Sequence, residues 1–327
     1  MTARRVYIEA ASQISIQEPL SESWMKSPVI CKEPFAKAVD PPFSQYFAPN
    51  QMRRSTAYIK RALAVSLEVL KRCNIAHPDA IISGTCYGSL ERTNGFLSEL
   101  WKNKEEALSP MFFMQAIHNA VSTTIAITTE TKSYNTTYSH ANLSFDAALL
   151  DGFMQMQLGN ISNALIGGHE ETSAIHFELL KKCGYVGAPG MAPYADISVA
   201  MMLNTKESEE NLCELAAVRL CYNPSPERVK ELIDNILQEA QIESPETVMT
   251  GVNGNPSNDK PYFEMAERFF KDKPLLTYKN LFGENFASSA AGVYAAAHIV
   301  KKETIESMIV INRTEKNEVS LTLLKRL

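Results

Sequence analysis

Four side chains that could carry chemistry crowd into six residues of TYSHANLSFDAALLDG (137–152): Ser139, His140, Asn142 and Ser144. A strand-like YNTTYS (134–139) enters this run and an apolar helical pattern leaves it. A residue at such a strand-to-helix turn sits beside unpaired backbone N–H groups and the positive end of the helix dipole. A thiol placed there is acidified into a nucleophile. A carboxamide is not, and Asn142 taken alone reads as a good helix cap. Strand alternation would put His140 on the Asn142 side, as a candidate lining residue of the same pocket. A Ser-His pair also needs a third group to orient the base, and none stands out in the sequence.

Other reactive types are weaker candidates. GGHEE (167–171) sets His169 beside Glu170 and Glu171, but adjacent residues rarely ligate one ion and no second cluster appears, so no metal is expected. Cys86 lies in the small-residue run GTCYGS, where a buried inert thiol is the expectation. His118 in IHNAVS reads as an anchor for a loop or helix start, and His77, His176 and His298 show no chemical partner in the sequence.

The elements that must position these groups are those of an α/β protein. Strand-like runs fall at 6–10, 80–84, 134–139, 163–168, 197–203, 215–222, 247–252, 274–278, 308–312 and 319–324, many of them apolar enough to be buried on both faces. Helical patterns alternate with them. Residues 56–73 align Ile59, Ala62, Leu63, Leu67 and Leu70; residues 226–241 align Val229, Leu232, Ile233, Ile236, Leu237 and Ala240 behind Ser225 as N-cap and Pro226 at the first position. A helix from about 143 is expected to bury Ala147, Leu150, Phe153, Met154 and Leu158 and to stop at Gly159. The acidic KESEEN (206–211) reads as a solvated turn. The chain has 327 residues, 45% hydrophobic and 21% charged, with a formal net charge of −5, which argues against a nucleic-acid or anionic-membrane footprint. Six cysteines without ligand spacing, an N-terminus that moves straight into a strand pattern and no membrane-spanning apolar run lead to the expectation of a cytoplasmic protein with reduced thiols.

The block 133–171 resembles the β-ketoacyl-ACP synthase group of the thiolase superfamily. There a strand ends in T-A-C-A and a helix and x-x-G-G-x-E/D follow. Ala141, Gly159, Gly167-Gly168 and Glu170 match, and Asn142 falls where the family has its nucleophilic Cys. IISGTCYGSL (81–90) resembles G-x-G-x-G-G-L, TGVNGNPSND (250–259) resembles A-H-G-T-G-T-P-x-N-D, and YKNLFGENFASSAAGVYAAA (278–297) resembles K-x-x-x-G-H-x-x-x-A-A-G. LSPMFFMQAIHNAVSTTIAI (108–127) has the S-P-x-x-F…H-N-A form of a stand-alone subgroup associated with aryl polyene and flexirubin-type pigment pathways. The resemblance runs in order from about residue 5 to residue 300. It implies an α/β thiolase fold of two pseudo-duplicated halves in αβαβα layers, divided here as 1–175 and 176–327 without a linker.

The departures carry the functional expectation. Family synthases use Cys-His-His, the two imidazoles stabilising enolate charge as the malonyl extender loses CO₂. The matching positions are Asn142, Gly251 and Glu284, while Lys279 and Asp259 keep the family residues. The family's F-G-F-G-G gating loop has no counterpart, and INRTEKNEVSLTLL (311–324) reads as a turn in its place. The resemblance thus implies a catalytically degenerate subunit, like a chain length factor, that pairs with an active ketosynthase through the strand at 134–139 and shapes its acyl tunnel. The alternatives are a homodimer with a closed pocket, or an enzyme condensing, transferring or decarboxylating acyl or malonyl groups through a non-standard site. No cofactor is implied beyond the acyl-phosphopantetheine of an acyl carrier protein as a ligand.

Overall fold

Short apolar runs bounded by Gly and Asn become the strands of one mixed sheet in the computed structural model, which describes residues 4–48, 50, 53, 55–106, 110–303 and 305–327. Leu108 and Ser109 of the pigment-subgroup motif lie outside the described residues. The strands are β1 (Tyr7–Ile14), β2 (Phe35–Ala36), β3 (Ala80–Gly84), β4 (Tyr134–Tyr138), β5 (Asn163–Glu170), β6 (Tyr194–Ala195), β7 (Ile197–Asn204), β8 (Cys213–Tyr222), β9 (Thr247–Thr250), β10 (Leu275–Thr277), β11 (Ser307–Arg313) and β12 (Glu318–Lys325). The described helices are α1 (Ala57–Arg72), α2 (Leu90–Lys102), α3 (Pro110–Ala116), α4 (Ala120–Thr128), α5 (Ser144–Gln157) and α6 (Ala174–Lys182). They continue with α7 (Pro226–Ala240), α8 (Pro256–Phe269), α9 (Lys279–Phe282) and α10 (Ser288–Lys302).

Ten of these strands form that sheet, in the order β10-β9-β11-β12-β8-β1-β7-β5-β3-β4, and β2 and β6 pair in a separate two-stranded sheet. Each set of five, counted in chain order, lines up third, second, fourth, fifth, first from its outer edge. The directions repeat too. β3 is parallel to β4 and β5, as β9 is to β10 and β11, and the remaining pairs of each set are antiparallel. The sets meet where Tyr7 and Ile8 pair with Glu214 and Cys213. The first set therefore closes with β7 at Asn204, whereas the sequence pattern divides the chain at residue 175.

Alternation of side chains along these strands builds the layers. Ile82 and Ile166 face inward with Met249, Met308 and Val310 onto the central helices α5 and α10. Ile81 and Leu165 face outward onto α1 and α4, and Val248, Ile309 and Ile311 outward onto α7 and α8. The outer helices follow their sequence stripes. Thr56 and Ser225 cap α1 and α7 by accepting the N–H of Ile59 and Arg228, and Pro226 opens α7.

The central helix differs from expectation. α5 buries Phe145, Ala148, Leu149, Gly152, Phe153 and Met156, while Met154 and Leu158 are exposed and Ala147 and Leu150 are only partly covered. Apolar residues occur nearly all round this helix, so periodicity could not choose its face. Gly159 does follow its end, at φ +78°.

Candidate functional site

The site forms where the C-terminal end of β4 turns into α5. Gly84, at the end of β3, lets the start of α5 approach so closely that a Cβ there would overlap the backbone of Ser144 and Phe145. The turn tightens into a 3₁₀ segment, Ala141–Leu143, with Ala141 at φ +44°. Asn142 is not its cap. Ser144 Oγ accepts the His140 N–H at 2.8 Å and donates to the Ala141 carbonyl at 2.7 Å, and Leu143, without a side-chain bond, is the N-cap of α5.

Asn142 instead borders a cavity of about 270 Å³, shared with Lys279, Glu284, Asn253, Tyr87 and Phe286. Its backbone carbonyl accepts Asn312 Nδ2 at 2.8 Å, and the same amide donates to Asp146 at 2.9 Å. Burial pushes the Asp146 carboxyl above its usual range, against hydrogen bonds from Ser320, Ser289 and Asn312. This network was not foreseen, and its one sequence signal is an acid in the first turn of a helix that is otherwise apolar.

The three positions that the resemblance matches to Cys-His-His have separate surroundings. At the first, Asn142 offers neither a thiol nor a base. At the second, Gly251 does not border the cavity, and a Cβ there would stand 2.5 Å from Tyr262 Oη and 2.7 Å from Tyr278 Oη. Two fully buried tyrosines occupy that space. At the third, Glu284 Oε2 meets Lys279 Nζ at 2.8 Å and accepts Asn253 Nδ2 at 2.7 Å, with side chains only 12% and 4% exposed for Glu284 and Lys279. Burial works against the Lys279 charge, and Glu284 more than offsets it, so the ammonium is held above its usual range. Asp259 accepts the N–H groups of Asn253 and Gly254, each at 2.9 Å, and so shapes the loop that presents Asn253.

His140 does not join the cavity lining. Its ring stands edge-on to Tyr222, with Nε2 3.5 Å from Glu318, because the chain leaves the strand alternation before residue 140. Ser144 bonds its backbone, not its ring. The Cys86 thiol is pushed up to about 12 by burial and then by Glu170, which fits the inert reading. His118 Nε2 lies 3.0 Å from the Cys86 carbonyl and pins that turn, as expected.

Glu170 and Glu171 serve the same turn. Glu170 accepts the N–H groups of Cys86 and Tyr87, at 2.6 and 3.1 Å, and Glu171 accepts Glu91 N–H and Ser89 Oγ. Among the described residues no group of three or more His, Cys, Asp or Glu could hold a metal ion. Three histidines without sequence partners have them in space: His77 with the Thr129 carbonyl, His176 with Tyr194 Oη, both at 2.7 Å, and His298 3.6 Å from Glu22. Chain separations of 52, 18 and 276 residues hid these pairs.

In place of a long gating loop, β11 and β12 are joined by the short turn 314–317, and Thr314, Glu315 and Lys316 border the cavity mouth. On the other side of the site, β4 is the edge of the sheet. α4 and α5 pack beside it, α3 packs on α4 and α2 on α3. Ile127 is 73% exposed and Leu158 71%, and Met111, Phe113, Met114, Tyr134 and Met154 are also exposed. No helix among the described residues is long and apolar enough to cross a membrane.

Strand order and buried central helices together mark a thiolase-fold ketosynthase architecture. The beta-ketoacyl synthase N-terminal domain family matches residues 22–245, and the chain belongs to that family. No curated protein matches the sequence. Among solved structures, the ishigamide ketosynthase/chain length factor superposes with TM-score 0.82 at 14% identity, covering 99% of this chain and 100% of that one. A beta-ketoacyl synthase from Burkholderia phymatum gives 0.82 at 12%, covering 99% and 100%. The ketosynthase ApeO in complex with its chain length factor ApeC, from Xenorhabdus doucetiae, gives 0.79 at 14%, covering 99% and 98%.

Proposed function

We propose that this chain is a noncatalytic ketosynthase-like subunit of polyketide-type biosynthesis, an aryl polyene pathway being the specific expectation. It pairs with an active, Cys-containing ketosynthase and shapes that enzyme's acyl tunnel. The observation that carries the reading is the state of the three positions: a carboxamide at 142, tyrosine hydroxyls filling the space at 251, and a lysine-paired carboxylate at 284. A carboxylate opposes enolate charge where an imidazolium would stabilise it. No cysteine is among the described residues that line the cavity, so a thioester has no thiol there to form on.

The pairing half of the proposal draws on the open edge of β4 and the apolar side chains around it. Unpaired strand edges and exposed apolar patches of this kind are normally covered. Pairing through β4 would bring α3, with Phe113 and Met114, against the other subunit. A bulky side chain there can set where a growing acyl chain stops, and an acyl carrier protein would visit the complex rather than this chain alone. The two halves, 1–175 and 176–327, act as one unit in this proposal.

Co-expression with a Cys-containing synthase, followed by size-exclusion chromatography, tests the pairing. A 1:1 complex supports it, and a chain that stays a homodimer beside every such synthase rejects it. Incubation of the isolated chain with malonyl-loaded carrier protein tests the absence of catalysis. CO₂ release that disappears in Asn142→Ala would overturn that half.

A further inference from the structure

The cavity beside Asn142 has lost the groups for bond making but retains groups for recognition. At ~30 Å³ for each water-sized group, its 270 Å³ admits a ligand on the order of nine heavy atoms. One side is apolar, formed by Val186, Tyr87 and Phe286. The two rings meet edge to face, with centroids 5.0 Å apart, and Tyr87 is held in place by the Glu170 bonds to its turn. A flat ring laid along this side would gain the offset or edge contacts that aromatic groups favour.

The other side is polar: Lys279 and Glu284 are paired there, and Glu315, Lys316 and Glu318 also border the cavity. Glu284 spends Oε2 on Lys279 and Asn253, which leaves Oε1 without a partner among the described residues. The Asn142 carboxamide likewise has no hydrogen-bond partner there; only its backbone carbonyl is used. Together these groups present one carboxylate oxygen that can only accept and one amide that can both donate and accept. A primary or secondary amide is the complement: its N–H meets Glu284 and its carbonyl meets Asn142. An added carboxylate would face Glu284 with Lys279 already paired, so like charge disfavours anions.

We propose that this cavity is a noncovalent binding site for a small neutral aryl amide, with the ring against Tyr87 and Phe286 and the amide between Asn142 and Glu284. The inference rests on the noncatalytic reading of position 142, since a nucleophile there would hold an acyl ligand covalently. It gives the chain a ligand of its own, separate from the tunnel of the other subunit.

Benzamide and benzoate titrated separately onto the full chain, followed by calorimetry and by thermal unfolding, test it. Benzamide should bind saturably with 1:1 stoichiometry and raise Tm, and benzoate should bind at least about tenfold more weakly. Phe286→Ala and Asn142→Leu should each weaken benzamide by about fivefold or more. Asn142→Asp keeps the shape while removing the amide donor, and stands in where Asn142→Leu does not fold. No saturable benzamide binding at millimolar concentration overturns the site, and so does equal binding of benzoate. Wild-type affinity in the Asn142 variants overturns the assigned contacts. Because pairing with a synthase is measured on the wild-type chain without benzamide, failure of that reading and failure of this one give different results.

Discussion

The cavity at Asn142 and the outer edge of β4 lie a few residues apart in the chain and are built in opposite ways. In the cavity, Glu284 is countered by Lys279 and Asn253, and behind it Asp259 holds the Asn253 loop through two backbone N–H groups. At the edge, β4 has no further strand beside it among the described residues, and Ile127, Met154 and Leu158 are exposed. A buried ion pair gains little net stability yet is costly to break, whereas exposed apolar surface is stabilised only when something covers it. The difference teaches that the interior charge is answered within the chain while apolar side chains near the edge are left exposed. Chemistry and association are separable in this fold, and each can be attacked alone.

The strongest attack on that separation is at the edge. Ile127→Arg with Met154→Arg places two charges in the surface proposed to pair with a synthase. Complex formation should weaken at least about a hundredfold, near 3 kcal/mol, because the charges are desolvated without partners. Titration with the synthase measures this. The isolated chain should keep its Tm within a few degrees, since both side chains are exposed. A complex that survives unchanged would move the interface elsewhere.

Next comes the interior pair. Glu284→Ala leaves the buried Lys279 ammonium uncompensated, and urea unfolding should show a loss of about 3 kcal/mol. Adding Lys279→Met should recover a large part of it, because the cost comes from the orphaned charge. A loss that stays the same in the double variant would mean that packing, not charge, holds this corner.

The second position is predicted to resist even a methyl group. Gly251→Ala would press a Cβ on Tyr262 and Tyr278, whose rings are fully buried, and overpacking of this kind costs about 1–3 kcal/mol. If the variant is as stable as the wild type, the space at 251 is not filled and an imidazole could return there.

How much of this was legible in the sequence depends on the range of the interaction. Most strand runs match to within two residues at each end, but β1 continues to Ile14 beyond the expected 6–10 and the short β2 and β6 carry no such run, while the caps at Ser225 and Pro226 follow from local rules. The resemblance to family motifs singles out positions 142, 251 and 284. It carries no signal for what surrounds them. Tyr262 and Tyr278 reach the Gly251 space from two other elements, and Asn312 reaches Asn142 across 170 residues. Local spacing carries no signal for such contacts. His140 and the face of α5 went astray for a different reason. Alternation and helical period both lose meaning where a strand breaks into a 3₁₀ turn ahead of a helix apolar on most sides.

The smallest predicted effect concerns an imidazole that remains in the N-terminal half but does no chemistry. His169 is fully buried on β5, neither ring nitrogen has a hydrogen-bond partner among the described residues, and burial pushes its pKa down to about 3. In the unfolded chain a histidine titrates near ~6.5. Between those values the unfolded chain takes up a proton and the folded chain does not. Stability present above pH ~6.5 is therefore lost as pH falls toward 3. His169→Leu removes this contribution. The stability gap between wild type and variant should shift by about 1 kcal/mol, in favour of the variant, between pH ~7 and ~5.5. His298, pushed down to about 4 by burial, titrates in the same direction in both proteins and cancels in the difference. Glu170, pushed up to about 8, has the opposite sign and cancels likewise where the substitution leaves its contacts intact. Urea unfolding of both proteins at the two pH values measures the gap. A gap that stays constant would mean that His169 exchanges protons freely in the folded chain, and that the interior around β5 is wetter than the contrast with the edge requires.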